Sequence, residues 1–354
     1  MTAFSQRYQN VCIEAVSCHL PENVVTSADL EKRLEPVYQR LKLPFGRLEM
    51  MSGIRERRFW AKGTFPSEVS AEAGEKVIAK SGIDRQDIQC LIHASVSRDF
   101  LEPATATVVH DRLKLSPDAL AYDVSNACLG VLTGMVQIAN MIEMGQIRAG
   151  LVVAGENGGP LVDSTIEALL AEADPTRNQV KAAFASLTIG SAAAAVLLTH
   201  KDVSRSGRRF LIGGVSRSDT RFNHLCRGSR DEGVHSTTRP LMETDSEGLL
   251  KEGCAVAEVC WKDFRSALGW SNAEVDRCIT HQVGVMHRKL LFQTLGLDAD
   301  KDYATLEFLG NTGAAALPAT LALAEENGRL ERGHKVALLG IGSGVVCHML
   351  GIEW

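Results

Sequence analysis

The sequence predicts an α/β fold built from two equivalent halves, with helices of both pressed into a shared middle layer. Three observations predict it. First, Gly82–Ser97 (GIDRQDIQCLIHASVS) and Gly269–Gly284 (GWSNAEVDRCITHQVG) align without gaps at an offset of 187. Each copy holds a glycine, an acidic–β-branched pair (Asp87–Ile88, Glu274–Val275) and a short apolar run. Second, the elements that follow each copy come in the same order. Third, the strands and helices among them carry little polar surface.

In the first half, DVSNACLG (Asp123–Gly130) opens a small-residue helix pattern that reaches Gly145, and the strand pattern Leu151–Ala154 ends at Gly155. In the second, FLGNTGAA (Phe308–Ala315) opens a helix pattern reaching Gly328, and the strand Val336–Leu339 ends at Gly340. Asn126 thereby matches Asn311, and Gly155 matches Gly340. A single period of about half the chain is a duplication; a solenoid needs three or more short repeats. Strands alternating with helices imply parallel sheets covered by helices. Gly150–Ala154 and Val336–Leu339 are continuously apolar, as strands buried on both faces are. The helices Leu129–Met144 and Ala314–Glu326 are rich in Ala, Gly, Met and Leu, which places them between two sheets. The halves divide as residues 1–204 and 205–354.

Composition bounds the function. The 354 residues are 45% hydrophobic and 23% charged, with a net charge of −5 and no basic run, so nucleic-acid binding is not expected. Arg205–Arg239 is locally rich in Arg but broken by Gly, Ser and Asp; it reads as a solvated loop, with a phosphate-binding patch as the alternative. The start MTAFSQRYQN lacks the charged and apolar regions of a signal peptide, and no run of about 18 apolar residues predicts a membrane span. Nine cysteines without a CxxC pair argue against a disulfide framework and against a metal site. A reducing cytoplasm fits best.

In α/β sheets, ligands gather on the turns leading from strand ends into helices. Three such turns hold candidates. Cys128, in Ser125–Gly130, lies at the start of a buried helix, where free N–H groups and the dipole favour a thiolate. Cys90, Cys278 and Cys347 fall in strand patterns and read as buried hydrophobes. His281 follows a strand directly and is compatible with catalysis or with a structural role; His287 falls in the next helix and is the weaker choice. Asn311 opens the Ala-rich helix and reads equally as an N-cap. The run Gly340–Gly344 (GIGSG) is no dinucleotide loop, because only ten residues follow it. A close backbone approach to a reacting carbonyl is the better use of those glycines.

At these residues the sequence resembles the β-ketoacyl-acyl carrier protein synthase III branch of the thiolase superfamily, over essentially its full length. SNACLG (Ser125–Gly130), THQ (Thr280–Gln282), GNTGAAALP (Gly310–Pro318) and GIGSG carry the resemblance in the right order. It implies a five-layered α-β-α-β-α thiolase fold, a homodimer and a Cys128–His281–Asn311 triad, with no metal and no cofactor beyond coenzyme A thioester substrates. The stretch Ser95–Ala106 (SVSRDFLEPATA), the HQV at 281–283 and the pair Arg227–Gly228 look very like the olefin-biosynthesis condensing enzymes. These join two fatty acyl-CoA molecules head to head into a 2-alkyl-3-keto acid.

By this resemblance, Cys128 carries the first acyl chain and the backbone N–H groups of Cys128 and Ser343 form the oxyanion hole. His281 and Asn311 hold the second thioester's carbonyl, and Glu102, reaching into the neighbouring subunit's site, takes the α-proton. Without the resemblance, Glu102 reads as a solvated loop acid before Pro103. The alternative reading is a starter synthase that condenses acyl-CoA with malonyl-acyl carrier protein, which makes an acyl carrier protein a possible partner. A related secondary-metabolite acyltransferase and a non-catalytic protein that kept the fold are the remaining readings; the intact triad speaks against the last. The pocket-shaping segments Gly159–Thr188 and Arg205–Arg239 have no readable fold.

Overall fold

The two copies of the repeated stretch fold as equivalent strands. In the computed structural model, the described residues are 4–207, 209–228, 241–281 and 283–354. The strands are β1 (Phe4–Arg7), β2 (Val11–His19), β3 (Asn23–Thr26), β4 (Glu56–Phe59), β5 (Cys90–His93), β6 (Leu120–Asp123), β7 (Ala149–Glu156), β8 (Ala192–His200), β9 (Phe210–Ser218), β10 (Cys226–Gly228), β11 (Met242–Thr244), β12 (Arg277–Thr280), β13 (Lys335–Gly342) and β14 (Val346–Glu353). The helices are α1 (Ser27–Arg33), α2 (Glu35–Leu41), α3 (Arg47–Ser52), α4 (Pro66–Ser81), α5 (Thr105–Arg112), α6 (Gly130–Glu143), α7 (Gly159–Ala171), α8 (Arg177–Leu187), α9 (Ser246–Leu268), α10 (Val285–Leu295), α11 (Leu306–Leu309) and α12 (Ala316–Glu326).

The repeated glycine has a local cause. Gly82 ends α4 at φ 67° and Gly269 ends α9 at φ 71°, the left-handed cap that glycine adopts without a Cβ clash. Each cap then feeds a buried strand, β5 or β12. One half has the strand order β2-β8-β7-β5-β6, and the other β9-β14-β13-β12, with β1 paired antiparallel to β9 on the edge opposite β14. Position by position, β2 answers to β9, β8 to β14, β7 to β13 and β5 to β12. The halves join where Cys12 pairs with Phe210, giving one ten-stranded sheet path. In the second half a single bridge, Cys278 to Asp302, stands where β6 pairs in the first.

The sheet is mixed, which corrects the expectation of purely parallel pairing. Only β5 with β6 and β7, and β12 with β13, run parallel. β13 turns straight back into β14 through residues 343–345, where Gly344 and Val345 have φ of 79° and 56°, so this pair is antiparallel. Between β7 and β8 the helices α7 and α8 pack elsewhere and do not cross the sheet.

Five layers follow from which faces are apolar. In the middle, α6 (Leu132, Met135, Ile138) and α12 (Leu317, Leu321) pack between the two halves of the sheet. Outside the first half lie α4 and α5, packed through Val77 and Val109; outside the second lie α9 and α10, packed through Trp261, Phe264 and Phe292. Pro318 falls in the first turn of α12, where its missing N–H leaves no helix bond unmade. The segment 159–188, opaque to sequence reading, forms α7 and α8. They share a separate core with α1, α2, α3 and the antiparallel β3–β4 pair, through Leu30, Tyr38, Phe59 and Ile166.

Candidate active site

Cys128 occupies a 3-10 turn, Ala127–Leu129, between the end of β6 and the start of α6. Ala127 has φ 44°, a left-handed conformation costly for a residue with a Cβ, and such strain concentrates at functional turns. Gly130 makes the turn possible: a Cβ there would overlap the carbonyl oxygen of Ala94. Gly130→Ala should therefore lower stability by about 3 kcal/mol. Denaturant unfolding measures this, and an unchanged midpoint would show that α6 can move aside.

Three turns converge. The Cys128 turn packs against the 3-10 turn Gly313–Ala315, which follows Asn311, and against the end of β13. Asn311 is pinned by its backbone: its N–H donates to Thr188 O (3.0 Å) and its carbonyl accepts from Gly190 N (2.9 Å). Its side-chain carbonyl accepts from Gly313 N (3.1 Å), two residues on, so the oxygen closes its own turn, while Thr312 and Ala315, not Asn311, hold the N-cap positions of the 3-10 turn and of α12. The matched Asn126 instead donates to Thr133 Oγ1 (2.9 Å) in α6. The duplication thus put an asparagine in both halves, and the two side chains bond differently.

His281 follows β12, and its N–H donates to Leu339 O of the parallel strand β13 (3.1 Å). It is buried, and among the described residues its Nδ1 has no hydrogen-bond partner. Burial, and next the neighbouring His287, push its pKa down to about 3, so the imidazole is neutral. Burial likewise pushes His287 and His348 down to about 4. Above the ordinary value of 6.5 neither folded nor unfolded chain protonates these rings; below it only the unfolded chain does, until about pH 4. Stability should accordingly be full above pH 6.5 and fall by on the order of several kcal/mol toward pH 4. Thermal melts check this, and a melting temperature unchanged down to pH 5 would contradict it.

The Cys128 thiol differs from the expected thiolate. It is half-buried, and burial first, then the charge of Glu156 and the neighbouring Cys226, push its pKa up to about 12. A helix dipole contributes about 0.3–1 kcal/mol, whereas burying an ion costs several. Desolvation wins, and at rest the group is a thiol. Cys90, Cys278 and Cys347 are buried strand residues, as read from sequence.

Ser343 lies in the β13–β14 turn, and its Oγ reaches Cys226 Sγ at 3.5 Å, as does Thr244 Oγ1 from β11. The β10–β11 hairpin, with Arg227–Gly228, is thereby docked beside the turn. Gly340 and Gly342 have a packing use that stands beside the expected approach to a reacting carbonyl. Their missing Cβ atoms make room for Leu129, which would otherwise come within 2.6 and 2.9 Å. They let β13 lie directly under the Cys128 turn.

Glu102 is not in this cluster. It is exposed, on the loop between β5 and α5, beside exposed Val96, Phe100 and Leu101. The loop is tied at three places: Val96 N and Ser97 N donate to Glu156, Ser67 N donates to Asp99 (2.9 Å), and Thr105 N and Ala106 N donate to Asp123 (3.0 and 2.8 Å).

Of the Arg205–Arg239 segment, Arg208 and residues 229–239 lie outside the described residues, as does Gln282 of THQ. The described arginines are engaged within the chain: Arg205 with Gly82 O, Arg209 with Glu325, Arg217 with Asp263, Arg221 with Asp219, Arg227 with Asn223. Sequence reading missed Glu156 and Cys226. For Glu156 a signal existed, a carboxylate closing the apolar strand VVAGE. Among the described residues no cluster of His, Cys, Asp and Glu could hold a metal, and no helix is long and apolar enough to cross a membrane.

Comparison with known proteins agrees with this architecture. The family "Thiolase, N-terminal domain" matches residues 50–206, and "3-Oxoacyl-[acyl-carrier-protein (ACP)] synthase III C terminal" matches residues 266–354. An acyl-CoA:acyl-CoA alkyltransferase of Shewanella oneidensis is 41% identical over 98% of this chain and 100% of its own length. One from Xanthomonas campestris is 35% identical over 98% and 99%. A crystal structure of a Xanthomonas campestris OleA variant with bound lauric acid and lauroyl-CoA superposes with a TM-score of 0.91 at 35% identity, covering 98% of this chain and 100% of that one. With its five layers, its paired halves and these full-length matches, the chain belongs to the thiolase superfamily, in the branch of the acyl-CoA:acyl-CoA alkyltransferases.

Proposed function

We propose that this protein condenses two fatty acyl-CoA thioesters head to head, without decarboxylation, through an acyl chain held on Cys128. The observation that carries the reading is the 41% identity, over the whole length of both chains, to an acyl-CoA:acyl-CoA alkyltransferase. The starter-synthase alternative shares the C-terminal match, and a β-ketoacyl-[acyl-carrier-protein] synthase III of Ruegeria pomeroyi is 24% identical over 97% of this chain.

Cys128 attacks the first thioester, forming an S-acyl bond as the thioester C–S bond breaks; the thiol proton ends on the departing coenzyme A sulfur, with neutral His281 as its relay. Backbone N–H groups of Cys128 and Ser343 stabilise the oxyanion, a contribution of about 3–4 kcal/mol in comparable sites. A second acyl-CoA then binds with its carbonyl held by His281 and the Asn311 amide. Glu102 of a neighbouring subunit removes its α-proton, and the enolate carbon attacks the acyl carbonyl on Cys128, forming the C–C bond and breaking the C–S bond; the departing Cys128 sulfur recovers a proton, regenerating the thiol. Water hydrolyses the remaining thioester, releasing a second coenzyme A and a 2-alkyl-3-keto acid. A base is required because an acyl-CoA has no carboxylate to lose. Its exposure on the isolated chain, among apolar side chains, supports a Glu102 that completes the site of a second copy. Nine cysteines without a CxxC pair support a reducing compartment, the cytoplasm.

Incubation with one long-chain acyl-CoA and no malonyl substrate tests the reaction, with condensed product expected and its absence decisive against it. Mixing Cys128→Ala with Glu102→Ala chains tests the dimer. Restored activity is expected once subunits exchange; a fully active monomer in sedimentation would refute it.

A further inference from the structure

We infer that Glu156 is a positioning residue for the condensation: one buried carboxylate ties the loop bearing Glu102 to the turn bearing Asn311, beside Cys128. The inference rests on the proposed reaction and adds to it a residue with no assigned role.

Glu156 closes β7, and its residue is almost wholly buried at 5% exposure. Its two oxygens are fully used. Oε1 accepts from Val96 N (2.8 Å) and Ala314 N (3.1 Å), and Oε2 accepts from Ser97 N (3.1 Å) and Ser97 Oγ (2.9 Å). Three of these donors are backbone N–H groups that can only donate, and the Ser97 hydroxyl already accepts from Asn157 N (3.1 Å). An ionised carboxylate matches that set; an amide or a protonated acid does not. The Glu156 backbone is fixed as well, since its carbonyl accepts from Trp60 Nε1 (2.9 Å).

The bonded groups belong to two segments far apart in sequence. Val96 and Ser97 begin the loop that carries Glu102, and Ala314 lies three residues after Asn311. Gly313 lets them meet: it has φ 56°, and a Cβ on it would come within 3.0 Å of the Glu156 carboxyl carbon. The carboxylate is thus the only side chain among the described residues shown bonding to both segments. Its charge also bears on Cys128, where Cys226 is the other titratable neighbour, and both favour the thiol over the thiolate. Burial raises Glu156's own pKa, and its four donors offset only part of that rise. A carboxylate here fixes the Asn311 turn in the chain's own site and the base of the loop that carries Glu102 into the neighbouring subunit's site, and its charge favours the protonated nucleophile.

Glu156→Gln tests this at nearly constant shape. The amide must turn one N–H pair toward a backbone donor, so the clamp loosens while the charge is removed. Two readouts are expected. Alkylation of Cys128 by iodoacetamide, followed by mass, should shift to lower pH by roughly one unit. Condensed product per acylated Cys128 should fall roughly 10-fold to 100-fold, while the acyl-enzyme still forms. An alkylation profile that does not move, or condensation that falls only in step with acylation, overturns the inference. Should Glu156→Gln not fold, Ser97→Ala removes one donor and leaves the charge. Product per acyl-enzyme should then fall with the alkylation profile unmoved, and undiminished product overturns the inference. The alkylation arm needs no acyl-CoA. If the parent chain makes no condensed product, the proposed reaction fails; if only the Glu156 readouts fail, the inference alone does.

Discussion

Cys128→Ala should abolish the release of coenzyme A from acyl-CoA and leave no acyl adduct on the protein. The turn that holds Cys128 does not need its sulfur. The left-handed Ala127 and the close approach of Gly130 to Ala94 shape the backbone, and Leu129 packs beneath it on Gly340 and Gly342. Removing one half-buried sulfur should therefore cost about 1 kcal/mol or less, and thermal melting of the variant should resemble the parent. The chemistry, in contrast, loses its nucleophile: without the covalent intermediate one difficult step is no longer split into two. Intact-mass measurement after incubation with acyl-CoA should show one acyl group per parent chain and none on the variant. A burst of coenzyme A equal to the number of chains from Cys128→Ala would place the nucleophile elsewhere. Because burial keeps the thiol protonated, with its pKa pushed up to about 12, the parent's acylation should also quicken as pH rises from 6 toward 9.

Glu102→Ala should leave that acyl-enzyme intact and suppress the condensed product by roughly 10²–10⁴-fold, the usual contribution of a general base. Acylation needs the thiol, its proton acceptor and the oxyanion donors, none of which Glu102 touches within its own chain. Removal of an α-proton from an unactivated acyl-CoA needs a base. Glu102 is exposed, and its loop is held by Glu156, Asp99 and Asp123, so the substitution should change stability by less than about 0.5 kcal/mol. The two readouts separate the possibilities. A solvated acid without a role predicts parental product. A starter synthase predicts that condensation with a malonyl carrier survives. Undiminished head-to-head product from Glu102→Ala would remove the assignment of the base.

Much of this site was legible because it is built from local devices. Gly82 and Gly269 marked helix ends, since left-handed caps call for glycine wherever they occur. Cys128, His281 and Asn311 stood out because each follows or opens an element whose pattern is readable within a dozen residues. Other features were illegible for a matching reason. The antiparallel return of β14 depends on a three-residue turn, and the order β2-β8-β7 on pairings between residues nearly two hundred apart. Residues 159–188 found their core against α1–α3 and the antiparallel β3–β4 pair, partners more than a hundred residues away.

By itself the sequence determined the duplication, the buried helices of the middle layer, and the three turns on which Cys128, His281 and Asn311 stand. Periodicity and capping are short-range and survive in any one segment. Only the tertiary structure decided the state of those groups: a protonated Cys128, a neutral His281, an Asn311 whose carbonyl is spent on its own turn, and a Glu156 that joins two loops. Desolvation and the pairing of buried donors depend on what the rest of the chain packs around a residue. No neighbour in sequence records that.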